Sequence, residues 1–142
     1  MKILCISIGF GYVFYMCNGF LTLNPRKKPY NVLFDKRIYL VHLGLSIVLA
    51  AFGFWYFYDA ELQTVSCFVP AIFLIAFFVA DSFVKLLTGR HLIIADRWDS
   101  KPPNYKWYID GLLSILILST SLCFPFVLAT YLQQVGSGSS AR

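Results

Sequence analysis

Four long apolar runs, at about residues 3–23, 38–58, 65–87 and 107–132, limit what this chain of 142 residues can fold into more than any other feature. A helix needs about 20 mainly apolar residues to cross a hydrocarbon layer of about 30 Å, and each run has that length. The connections between them are too short to fold as separate domains. The pattern predicts an all-α integral membrane protein: a four-transmembrane-helix bundle, forming a single transmembrane domain over residues 1–134. Composition agrees, since 58% of residues are hydrophobic and only 13% charged, against roughly a quarter charged in soluble domains. The last residues, V-G-S-G-S-S-A-R at 135–142, have the composition of a flexible tail or cloning scar and stay outside the fold reasoning.

The first run has a rival reading, because Met1-Lys2 before an apolar stretch also opens a secretory signal peptide. No small-x-small cleavage site follows it, and Phe14-Tyr15-Met16 is too bulky for lipoprotein cleavage before Cys17. The run is therefore read as the first span.

Orientation follows from the basic residues of the short loops, which favour the cytoplasmic side. The first connection holds Arg26, Lys27, Lys28, Lys36 and Arg37, and the third holds Arg90, Arg97, Lys101 and Lys106. The second has no base and carries Asp59 and Glu61. Loops one and three are thus expected in the cytoplasm and both termini outside it. Interfacial aromatics agree: Trp55, Tyr56 and Tyr58 mark the outer end of the second run, and Tyr105, Trp107 and Tyr108 the inner start of the fourth. The net charge of +5 then points to anionic lipid headgroups at the cytoplasmic leaflet, not to nucleic acid.

Helical spacing gathers small or polar residues into stripes: Ser7, Gly11 and Asn18; His42, Ser46, Ala50 and Gly53; Cys67, Pro70, Ala71, Leu74, Phe78, Asp81 and Lys85; Asp110, Ser114, Ser121 and Pro125. Small faces let helices approach closely in lipid, so these stripes are the expected contacts. Taking about 1.5 Å of rise per residue, Asn18, His42 and Asp110 lie roughly 6–8 Å inside the cytoplasmic boundary and Asp81 about 10 Å. A tight bundle would bring them together, with Lys85, as a polar intramembrane cluster. Ionisable groups at such depth usually face a bundle interior and mark function. The plain alternatives are that Lys85 snorkels to the headgroups, that Asp110 serves the first turn of its helix and that His42 bonds a neighbour. Asp81 can also meet Lys85 across one turn.

The third connection is the longest. Gly89 is placed to end the third helix, and Pro102-Pro103 forces an extended approach to the fourth. Between them Arg90, His91, Arg97 and Trp98 alternate with apolar residues in a segment suited to lie on lipid headgroups or dock a partner. The sequence has no zinc-type cysteine spacing, no C-x-x-C and no glycine-rich phosphate loop, so no cofactor, metal or catalytic residue is expected. Two functions fit. One is an oligomeric channel or transporter for a cation, proton or small solute, using the polar cluster and an outer mouth at Asp59 and Glu61. The other is a non-catalytic accessory or assembly subunit of a larger membrane complex. A homo-oligomer or other membrane subunits are the expected partners. The rules used here apply equally to a plasma or bacterial inner membrane and to the endoplasmic reticulum.

Overall fold

A computed structural model of the chain describes residues 2–18, 25–56, 65–95 and 99–139. Among these the architecture is all helical, with no strand. Helix α1 spans Lys2–Asn18, α2 Lys36–Tyr56, α3 Val69–Thr88 and α4 Leu112–Ser139. Two 3-10 turns, Pro25–Lys27 and Pro29–Phe34, precede α2, and a π-helical turn, Trp107–Gly111, leads into α4. The backbone of α4 continues to Ser139, into the stretch whose composition suggests a tail.

Three segments are long and apolar enough to cross a membrane: Lys36–Trp55, Val69–Thr88 and Trp107–Leu128. At about 1.5 Å per residue, each is about 30 Å or more in length. Their outward faces carry Val41, Leu45, Val48, Val79, Phe83, Leu86, Leu116 and Val127, all exposed. In water such a surface would aggregate; in a bilayer it is the lipid contact. Helix α1, 17 residues as described, is shorter, and the rest of its expected run at 19–23 lies outside the described residues.

Helix α3 packs against α1, α2 and α4 and is the hub of the bundle. Pro70 sits in its first turn, where the missing N–H has no helical partner to lose. Gly89 ends it as expected: at φ 70° it adopts the left-handed conformation and its N–H reaches the Lys85 carbonyl at 2.9 Å. The buried face is Val69, Pro70, Phe73, Leu74, Phe77, Ala80 and Val84, against Val13, Met16 and Cys17 of α1, Tyr30 and Leu33 of the second turn, and Ile117 of α4. Aromatic stacking fixes the helix rotation: Phe77 lies 5.7 Å from Phe34 and 6.1 Å from both Tyr30 and Phe73, centroid to centroid.

The small-residue stripes hold on two helices, hold in part on α3 and fail on α1. Ser46, Ala50 and Gly53 of α2 and Ser114, Ser121 and Pro125 of α4 are buried as expected. On the third run Cys67, Pro70 and Leu74 are buried as expected and Phe78 and Lys85 are exposed, because farther along α3 the buried face turns to the rings supplied by the first connection. On α1 Ser7 and Gly11 are exposed, and the close approach is at Gly9, where an added Cβ would collide with the Ser66 carbonyl oxygen.

Candidate functional site: a capped end of the bundle

The connections at residues 25–35 and 89–106 meet where α3 ends and where α2 and α4 begin. The two basic loops thus share one end of the bundle. Three side chains organise that end around the extended segment 91–95. Ile94 N–H donates to the Tyr30 hydroxyl (3.0 Å), Ile93 N–H to Asp110 Oδ1 (3.2 Å), and Leu92 N–H to Asp81 Oδ1 (2.8 Å). Three successive backbone donors find acceptors from the second turn, the π-helical turn and α3. Among the described residues there is no partner strand, and side chains take its place.

Asp110 is fully buried and saturated. Oδ1 also accepts from Arg90 Nη1 (2.9 Å), and Oδ2 from Arg90 Nη2 (2.7 Å) and Lys106 N–H (2.8 Å). With Ile93 N–H this makes four hydrogen bonds, about the full acceptor capacity of a carboxylate. The two-point Arg90 contact is the strong planar form of an ion pair, and these hydrogen bonds raise the Arg90 guanidinium above its ordinary value. The Asp110 carbonyl in turn receives the Ser114 hydroxyl at 2.6 Å, which ties the turn to α4.

Asp81 is 15% exposed and pairs with His91 Nδ1 at 3.0 Å. The His91 ring stacks on Phe34 at 4.2 Å and is itself 44% exposed. Asp81 thus turns to the loop and not to Lys85, which is exposed in the last turn of α3. A carboxylate flanked by a backbone N–H and an imidazole gains more there than from a mobile surface ammonium.

A second ion pair, Lys28–Asp99 at 2.6 Å with side chains 1% and 3% exposed, joins the two connections beneath the surface. Beside it, burial is the main force holding the Tyr30 phenol well above its ordinary value of 10. Asn31 closes the first connection by donating to the carbonyls of Pro25 (2.7 Å) and Lys28 (2.9 Å).

The expected polar cluster is thus distributed. Asp81 and Asp110 hold adjacent parts of one loop through His91 and Arg90, residues expected to face lipid or a partner. His42 lies elsewhere, its Nδ1 3.0 Å from the Tyr12 hydroxyl of α1, and Asn18 is half-buried at the end of α1. Asp59, Glu61, Arg97 and Trp98 lie outside the described residues. Sequence reasoning missed Lys28, Tyr30 and Asp99. The available signal was the alternation in His91-Leu92-Ile93-Ile94, whose Leu92 and Ile94 are buried in the core.

Two cavities flank this end. One of about 190 Å³ lies between Asn31, Phe34, Arg90, His91 and Asn104. The other, about 420 Å³, runs from Lys101 and Tyr105 down to Ile115 and Leu118. No group of three or more metal-ligating side chains converges among the described residues. No family model, curated protein or solved structure matches the chain.

Proposed function

We propose that the protein is a non-catalytic multipass membrane subunit, whose two basic connections form a fixed cytoplasmic cap that other membrane components assemble against. The saturation of Asp110 carries this reading. A buried acid that carries ions needs acceptor capacity to offer them, whereas Asp110 spends all of its capacity on Arg90 and two backbone amides. The buried core around α3 is aromatic and aliphatic, which suits a rigid body better than a hydrated path. The cytoplasmic assignment rests on the basic residues of both connections.

One observation favours the second reading, an oligomeric channel or transporter for a cation, proton or small solute. Among the described residues Asp81 Oδ2 is partnered by His91 alone, so this carboxylate keeps acceptor capacity beside a half-exposed imidazole.

Extraction in mild detergent, with mass measurement, and reconstitution in liposomes separate the two. The subunit reading expects recovery with other membrane proteins at fixed stoichiometry, and no proton or cation flux from the purified chain. A ring of identical chains with flux abolished by Asp81→Asn would replace it with the transport reading.

A further inference from the structure

The 420 Å³ cavity beside the start of α4 is graded along its length. Lys101 and Tyr105 lie at its cap end, Trp107 on its flank, and Ile115 and Leu118 at its far end. Gly111 to Leu118 advances about 10 Å along the helix, so the cavity descends from the loop into the span and opens on the exposed face of Ile115. The Lys101 ammonium is held 5.5 Å from the Tyr105 ring centre, a cation–π contact that positions the charge at the mouth. The Trp107 ring, exposed at the same level, is of the type that settles among headgroups.

Local charge selects the occupant. Among the described residues, the internal pairs Lys28–Asp99 and Arg90–Asp110 take up Asp99 of the third connection and Asp110 at its junction with α4. Of the other charged side chains described on the two connections and at the start of α2, Lys27, Lys36, Arg37, Lys101 and Lys106 stand against Asp35. The groove between α3 and α4, about 600 Å³, offers a contrast: Ile72, Val79, Phe83, Leu116 and Phe124 line it with Thr120, and no charged side chain is among them to fix a headgroup.

We propose that the cavity between Lys101 and Leu118 binds one anionic phospholipid, its phosphate at Lys101 and its acyl chain along Ile115 and Leu118. Gly111 keeps the floor open: a Cβ there would already stand 3.1 Å from the Tyr105 hydroxyl and 3.4 Å from the Trp107 ring, so a larger side chain must enter the space. The inference is independent of whether the protein is a subunit or a transporter.

Native mass spectrometry of the full chain in detergent tests it, with phosphatidylglycerol and phosphatidylcholine of matched acyl chains as probes. One phosphatidylglycerol should be retained in preference to phosphatidylcholine, and excess inorganic phosphate should not displace it. Lys101→Gln, at an exposed position, should weaken retention at least about fivefold, the worth of one basic residue near an anionic surface. Lys36→Gln, a base at the same end but outside the cavity, should leave retention unchanged. Gly111→Leu should lower retention of both lipids. Equal loss in Lys36→Gln and Lys101→Gln would reduce the effect to diffuse attraction and overturn the site. So would equal binding of the two lipids, displacement by phosphate, or wild-type retention in Lys101→Gln.

Discussion

Replacing Asp110 with Asn preserves shape and volume while removing charge and one acceptor oxygen, so its cost measures how firmly the third connection is held. If the Asn oxygen takes the place of Oδ1, it keeps the bonds from Arg90 Nη1 and Ile93 N–H. The new NH2 group then faces two donors, Arg90 Nη2 and Lys106 N–H, at positions now 2.7 and 2.8 Å away. A hydrogen bond to a charged group contributes about 1.5–3 kcal/mol, and two are lost. Arg90 keeps 18% side-chain exposure, so water restores part of its share, and the net loss is about 3 kcal/mol. That is roughly a hundredfold in the opening equilibrium of the loop. Amide hydrogen exchange in nanodiscs reads this directly: Leu92, Ile93 and Ile94 should exchange about a hundredfold faster, while the middle of α3 is unchanged. Arg90→Gln should also open the loop, and the double variant should fall short of the sum, because the Arg90 Nη2–Asp110 Oδ2 bond is lost in both. Unchanged exchange at residues 92–94, or full additivity of the two variants, would refute the claim that Asp110 holds the loop.

Tyr30→Phe leaves the buried Ile94 N–H without its acceptor and should cost about 1–3 kcal/mol, seen as faster exchange at Ile94 with the aromatic packing on Phe77 intact. The same substitution tests a pH effect. Because burial raises the Tyr30 phenol above 10 in the fold, its contribution is complete below about pH 10 and declines as pH rises from there toward the folded value. Thermal melts from pH 9 to 12 should therefore fall less steeply in Tyr30→Phe than in wild type. Lys28→Met removes the ammonium 2.6 Å from the buried Asp99 carboxylate and should cost up to about 3–5 kcal/mol, measured as loss of thermal stability in detergent. Gly9→Ala should cost about 1–3 kcal/mol through overpacking on Ser66, whereas Gly11→Ala, where an added Cβ meets nothing within 4 Å, should be close to neutral in the same melts.

The apolar spans were legible because length and composition are local properties. The expected runs at 38–58, 65–87 and 107–132 correspond to the helices Lys36–Tyr56, Val69–Thr88 and Leu112–Ser139 within a few residues at most ends. The Gly89 stop was legible for the same reason, as was the position of Asp110 at the start of its helix. The pairings were not. Lys28–Asp99 and Tyr30–Ile94 join residues far apart in the chain, and no spacing rule announces such a contact. Depth placed Asp81 and Asp110 at a similar height, and this proved useful. It could not reveal that their partners come from the neighbouring loop and not from the other helices.

An ionisable residue in a membrane span is read first as a functional site, and this fold shows what else it can supply. Non-helical backbone at the edge of a bilayer is tolerated only where protein or water satisfies its polar groups. Segment 91–95 is extended, and Leu92 and Ile94 are buried, so each inward amide needs an acceptor that no neighbouring strand provides. Asp81, Asp110 and Tyr30 provide one each. Arg90 and His91, at the start of the same connection, contact Asp110 and Asp81 in return. The acids and the loop therefore depend on each other: without the loop the spans would present buried carboxylates to lipid, and without the carboxylates the loop could not fold inward. Asp110 and Arg90 share the two-point contact at its centre, so removal of either should loosen the same loop.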